Sequence, residues 1–209
     1  MGLAIAQAQA AGFQTLGRAE TMSSTEVLAR QAVALDGADA EARSLLANTL
    51  WCRGDYEGAL AEAERAMAMT PNLAFAHHMF GTALIFSGRP KEGLPALERS
   101  IRLDPRHPRS EVRLNQMALG LYFSRDYAGA VEVAKRAIRS YPNFPNYYRW
   151  LAAALGQMGR IDEAKEALQK AMDIVPASFQ SSVHERVPWM RPEDHAHMLE
   201  GLRKAGWRE

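Results

Sequence analysis

Four prolines set the frame. Pro71, Pro105, Pro142 and Pro176 fall 34, 37 and 34 residues apart, and a period of that size marks stacked copies of one supersecondary unit. Each proline closes a similar phrase: Met69-Thr70-Pro71-Asn72, Leu103-Asp104-Pro105-Arg106, Tyr141-Pro142-Asn143 and Val175-Pro176. About seventeen residues earlier stands a turn, at Gly54-Asp55-Tyr56, Gly88-Arg89-Pro90, Arg125-Asp126-Tyr127 and Gly159-Arg160-Ile161. After each turn runs a spaced series: Ala59, Ala63, Ala66; Gly93, Leu97, Ser100; Ala130, Ala134, Ala137; and Ala164, Leu168, Ala171.

Spacings of four and three place each series on one helical face. Small side chains there let a second helix approach closely, since interaxial distance follows the residues at the contact. The preceding segment of each unit offers the matching stripe: Leu46, Ala47, Leu50; Phe80, Gly81, Leu84; Met117, Ala118, Leu121; Leu151, Ala152, Leu155. Neither helix buries its stripe alone, so the two pair and the pairs stack. The proline then ends the second helix by forcing its predecessor out of the α region.

This pattern resembles the tetratricopeptide repeat. The likeness covers 40–178, with units at 40–73, 74–107, 111–144 and 145–178, and implies an all-α, right-handed superhelical stack of helix hairpins. Residues 1–39 read as a degenerate N-terminal unit. In it Ala29, Ala32, Leu35 and Asp36-Gly37 echo the end of a second helix capped at Ser23 or Ser24, after a poorly patterned helix over 3–16. Residues 108–110 form an insertion, in which Pro108 either starts the next helix or sits in a loop. Pro95, inside a second helix and close to Gly93, is expected to bend it at a cost of about 3 kcal/mol if unrelieved. Over 179–209 the expectation is an irregular stretch to Val187, then a helix opened by Pro192-Glu193-Asp194, running to Lys204 and stopped by Gly206. That helix is expected to cap the last repeat, with Leu199 and Leu202 near Ile174 and Leu168.

The stripe opposite the packing face of each first helix lines the inner wall if the repeat geometry holds. It comprises Glu41, Ser44, Asn48, Trp51 and Cys52; Phe75, His78, Thr82, Ile85 and Phe86; Val112, Asn115, Leu119, Tyr122 and Phe123; and Asn146, Arg149, Ala153, Gly156 and Gln157. Its first three parts are unusually apolar and aromatic, which marks a contact surface. Two readings compete. One is a groove for a partner's extended or helical segment, anchored by Trp51, Phe86, Tyr122 and Phe123. The other is a wall filled by the chain's own tail through Trp189, Met190 or Trp207, or simply packed between tightly wound repeats. Ser44 stands where a lysine would help clamp a carboxylate terminus, and Asn48 alone does not, which disfavours a chaperone-tail adaptor.

No catalytic constellation, resident metal or cofactor is expected. His195 and His197, two apart on a helix, point about 200° apart, and the neighbours His77 and His78 also diverge. Cys52 has no base beside it in sequence, and no GxxxxGK[ST], GxGxxG or GxSxG is present. The 25 basic and 24 acidic residues leave a net charge of +1, against nucleic-acid binding. A single cysteine fits a reducing, cytoplasmic setting. No run approaches a membrane span, the start makes a poor signal peptide, and Ala6 argues against myristoylation.

A narrower likeness lies further along. Leu97 to Pro108, Asp126 to Glu132, Gly159 to Ala164, Arg191-Pro192-Glu193-Asp194 and Glu200-Gly201-Leu202-Arg203-Lys204-Ala205-Gly206 resemble the repeat region that follows the catalytic domain of bacterial class III adenylate/guanylate cyclases. The resemblance implies a bacterial signalling context. None of these 209 residues corresponds to that family's metal-binding or catalytic positions. The expected role is a non-enzymatic scaffold binding a protein or peptide partner on its concave face, with regulation or dimerisation of a nucleotide cyclase domain as the alternative.

Overall fold

The computed structural model describes residues 18–108 and 110–208, and every regular element among them is a helix. α1 (Arg18–Leu35) leads into four hairpins: α2 (Ala40–Cys52) with α3 (Tyr56–Met69), α4 (Ala74–Phe86) with α5 (Pro90–Leu103), α6 (Ser110–Phe123) with α7 (Tyr127–Ser140), and α8 (Pro145–Gln157) with α9 (Ile161–Ile174). Two more helices follow, α10 (Pro176–His184) and α11 (Pro192–Lys204). Each helix packs on the next through α10, and the first helices of adjoining hairpins also touch, so α2, α4, α6 and α8 form one continuous inner layer.

The small-residue series carry the hairpins. Ala59, Ala63 and Ala66 of α3 and Ala130, Ala134 and Ala137 of α7 are fully buried, as are Leu97, Ser100, Ala164 and Ala171. In the second hairpin the approach is closest. A Cβ on Gly81 would lie 2.7 Å from the Gly93 carbonyl oxygen, and one on Gly93 would lie 2.5 Å from that of Gly81. Gly93 is therefore there for contact. α5 runs unbroken through Pro95, which lies on the solvent side, and the carbonyl deprived of its donor belongs to exposed Lys91.

Every first helix ends the same way. Gly54 N–H bonds the Trp51 carbonyl and Asp55 N–H that of Leu50, with the pattern repeated at Gly88/Arg89, Arg125/Asp126 and Gly159/Arg160. This double bond is the Schellman ending, which needs a left-handed residue at its centre. The φ values are +85° at Gly54, +90° at Gly88 and +73° at Gly159, but Arg125 takes the same place at +69°. Asp55 and Asp126 then cap the following helices by accepting from Gly58 and Gly129 N–H.

Several boundaries differ from the sequence expectation. Ser23 and Ser24 lie inside α1, which begins at Arg18; just after them Thr25 and Glu26 are buried, the latter bonded by Arg53 and Arg30. The expected helix over 3–16 lies outside the described residues. Pro108 falls in a turn and α6 starts at Ser110, so the insertion loops. Arg113 spans it, donating to the Asp104 carbonyl at 2.9 Å and so capping the end of α5. The stretch expected to be irregular, 179–187, is helical as far as His184 as part of α10, which packs on α9 as a first helix of a further unit would, burying Phe179 and Val183.

Replacing Arg125 with Gly should raise stability by about 1 kcal/mol, because an L side chain pays roughly that in the left-handed region. The check is a higher urea midpoint at unchanged slope. Gly54→Ala should move it the other way.

Candidate functional site

The inner layer carries an aromatic ladder along the array. Trp51 stacks on Phe86 at 5.2 Å and 8°, Phe86 meets Phe123 edge-on at 6.4 Å, and Phe123 meets Trp150 edge-on at 5.5 Å. Four consecutive first helices thus contribute one ring each. Geometries of this kind add about 0.5–1.5 kcal/mol per pair beyond burial.

The ladder is covered. After α10 the chain turns back, and residues 186–207 cross the C-terminal halves of the first helices. Trp189 meets Trp51 edge-on at 5.6 Å, and Tyr56 Oη donates to the Trp189 carbonyl at 2.9 Å. Arg191 lies over Gly88. The His197 ring stacks on Tyr122 at 4.4 Å, Tyr122 Oη donates to the His197 carbonyl at 2.7 Å, and Tyr127 Oη lies 3.0 Å from His197 Nε2. Lys204 Nζ donates to Gln157 Oε1 at 2.7 Å.

Glycines let α11 sit down on α8. A Cβ on Gly156 would lie 2.3 Å from the Gly201 carbonyl oxygen, and one on Gly201 would lie 2.7 Å from that of Ala153 and 2.5 Å from Tyr122 Oη. With Ala153 and Ala205 fully buried alongside, the two helices cross at near-backbone contact. Met190, Met198, Leu202 and Trp207 fill the rest of the seat. α11 therefore rests chiefly on α8, the first helix of the last repeat, instead of on α9, which carries Ile174 and Leu168. The apolar stripe of α11 faces the inside of the curve, against α8, where small residues leave room.

The tail closes the upper part of the wall. Trp51, His78, Thr82, Ile85, Phe86, Leu119, Tyr122 and Phe123 are buried, while Asn48, Phe75, Asn115 and Arg149 remain part-exposed. Of the two readings of this wall, the molecule adopts the one in which the chain's own tail fills it. Tyr122, fully buried and bonded to α11, is a core residue whose truncation to Ala would cost about 3–5 kcal/mol. Trp150, Tyr127, His197 and Gly201 are parts of the site that the wall pattern did not single out, whereas Gly156 belongs to it.

Lower on the wall lies a different chemistry. Ser44, His78, Asn115 and Arg149 take equivalent places in α2, α4, α6 and α8. Burial, helped by Arg113 and His107, holds the His78 imidazole down to about 3, so it is neutral. Desolvation brings the Arg149 guanidinium down to about 10, still cationic. His77, by contrast, faces outward to the Pro71 carbonyl and Arg99. Among the described residues no three His, Cys, Asp or Glu side chains gather closely enough to hold a metal, and no helix is long and apolar enough to cross a membrane.

Two outcomes follow for the tail. A Gly201→Val change should push α11 off α8 at a cost of about 1–3 kcal/mol. Amide exchange in 192–204 should then accelerate about tenfold or more while α2–α7 keep their protection. His197 is the pH handle: burial first, then Arg125, lowers it from 6.5 to about 4. Between those values the unfolded chain takes up a proton that the seated tail refuses, so stability falls as pH drops from about 6.5 to 4. A His197→Gln variant should show a shallower loss of melting temperature over that window.

Residues 40–65 and 124–181 each match a tetratricopeptide-repeat model. No curated protein matches the chain in sequence. Solved structures share its fold at low identity. PilW, a type IV pilus biogenesis factor, superposes with a TM-score of 0.70 at 16% identity, covering 98% of this chain and 89% of its own. MamA from Desulfovibrio magneticus RS-1 gives 0.59 at 21%, with 80% and 93% covered. YrrB, described as a repeat protein with an unusual peptide-binding site, gives 0.59 at 20%, with 85% and 90% covered. The two matched segments lie within an array that folds as the right-handed, all-α superhelix seen in solved tetratricopeptide-repeat structures.

Proposed function

We propose that the protein is a non-enzymatic interaction scaffold that receives a segment of a partner protein on its concave wall, and that its own C-terminal helix occupies part of that seat in the free molecule. One observation carries this reading: the wall already holds a helix, α11, by aromatic stacking, side-chain hydrogen bonds and a glycine-lined crossing. These are the means by which helix-in-groove recognition works between chains. YrrB, similar in fold, is described as having a peptide-binding site. The resemblance of 191–194 and 200–206 to the tail of the cyclase-linked repeat region supplies a context for such a partner. In this chain its glycine and alanine, Gly201 and Ala205, sit at the α8 contact.

A seated tail lowers apparent affinity by the fraction of molecules in which the seat is closed. Capture from the native host should therefore strengthen several-fold with Gly201→Val and weaken about tenfold with Phe75→Glu, which places a charge on the part-exposed wall. Equal recovery of the same partner by parent and both variants would overturn the concave-wall assignment.

A further inference from the structure

Two titratable side chains of the tail, His197 and Asp194, are carried out of water when α11 sits on the wall. His197 is buried, with its ring stacked on Tyr122 at 4.4 Å. Arg125 Nη1 donates to Tyr127 Oη at 3.3 Å, and Tyr127 Oη lies 3.0 Å from His197 Nε2. A guanidinium only donates, so it occupies a lone pair of the phenol oxygen and leaves the phenol proton for Nε2, which accepts it. This relay fits a neutral ring. An imidazolium would turn an N–H toward an oxygen already receiving from a cation.

Around the ring stand Tyr122 from α6, Arg125 and Tyr127 at the entry to α7, and Glu200 and Lys204 further along α11. The half of α8 beneath the tail, from Trp150 to Gln157, carries no charged side chain. Burial first, then Arg125, outweighs Glu200 and brings the ring from 6.5 to about 4. Asp194 pulls the other way. Its Oδ2 is shut off from solvent without a hydrogen-bond partner, and Arg191 Nε stands 3.6 Å from it. Burial raises this carboxyl above 3.8, against the opposing charge of Arg191. Between pH 6.5 and 4 a free tail takes up a proton at His197 that a seated tail refuses, so closing weakens as pH falls through that window. A seated Asp194 accepts its proton more readily than a free one, so this group favours closing only as pH nears the carboxyl range. His197 therefore decides the response near pH 5 to 6.

We propose that the C-terminal tail is an acid-released latch: a neutral His197 keeps α11 on the wall, and proton uptake by that ring frees residues 186–207 and bares Trp51, Phe86 and Phe123. The latch regulates the seat described above and rests on the scaffold reading for its purpose. The backbone suits local release. Glu185 to Arg191, which join α10 to α11, carry no helix, so the tail can swing away while the hairpins stay stacked. Complete exclusion of the proton would shift the closing equilibrium about thirtyfold between pH 7.5 and 5. The face of Tyr122 attracts a cation and offsets part of this, leaving a shift of about tenfold.

The test follows methionine methyl resonances in the full chain. Met190 and Met198 report the tail, Met79 and Met117 the stack, and all four are buried. From pH 7.5 to 5 the ratio of free to seated tail should rise about tenfold at Met190 and Met198 while Met79 and Met117 stay in place. His197→Gln should cut that rise to about twofold or less. Asp194→Asn, which removes a buried charge, should keep the rise and lower the free fraction at pH 7.5 several-fold. A rhodamine-labelled peptide of residues 186–207 carrying His197→Gln serves as the probe of the bared wall. It should bind the parent at least tenfold more tightly at pH 5 than at pH 7.5, and bind Gly201→Val at both. Unmoved Met198 at pH 5, movement of all four methionines together, or an undiminished rise in His197→Gln overturns the latch. If acid frees Met198 but the peptide binds neither parent nor Gly201→Val, the latch stands and the scaffold reading fails. If the peptide binds Gly201→Val while Met198 of the parent stays seated at pH 5, the scaffold reading stands and the latch fails.

Discussion

The structure depends on how closely two helices within a hairpin can approach. Alanine at three turns of α3 and again of α7, and paired glycines where α4 crosses α5, bring the axes together so that larger side chains on the first helices reach past their own partner to the next hairpin. Burial then propagates along the stack as one apolar cluster, from Ala29 in α1 to Trp207 beyond α11. A side chain added at the crossing would lift one hairpin off its mate and also shift the curvature that every later unit inherits.

A plain stack of this sort has nearest-neighbour energetics, each unit leaning only on those beside it. The tail changes that. Tyr56 bonds Trp189 across 133 residues and Tyr122 bonds His197 across 75. Because loop-closure entropy rises only slowly with length, such contacts are not much dearer to form than short ones once the stack has brought their ends close. They tie the first hairpin to the last. Unfolding should be correspondingly more cooperative than in a tailless array, and the polar bonds matter because they seat buried hydroxyl and carbonyl groups that would otherwise lack partners.

What was legible in the sequence was local or periodic. The prolines, the turn residues and the small-residue series placed the four hairpins, because spacing and conformational preference act within a unit. Arg125 was placed by register alone, and its left-handed backbone shows the turn overriding its own residue's preference. The ends of α11 were also readable, from Pro192 and Gly206. Its partner was not. Leu199 and Leu202 reveal which face is apolar but not what it meets, and the decisive residues, Gly156 and Gly201, look like ordinary helix weaknesses until the two backbones are seen in contact. Ser23 and Ser24 misled for a different reason: cap chemistry is permissive, and α1 begins one and a half turns earlier, at Arg18. Spacing places the wall residues along the first helices, yet whether Tyr122 is an anchor or core depends on a segment 75 residues away.

The closed wall sets the terms on which any partner competes. A helix tethered in cis presents itself at an effective concentration of the order of millimolar, so a segment seeking the aromatic seat must displace α11, and its apparent affinity falls by that difference. A contact built from rings and backbone should respond to whatever loosens the tail and little to salt, because screening acts on exposed charges and not on stacked aromatics.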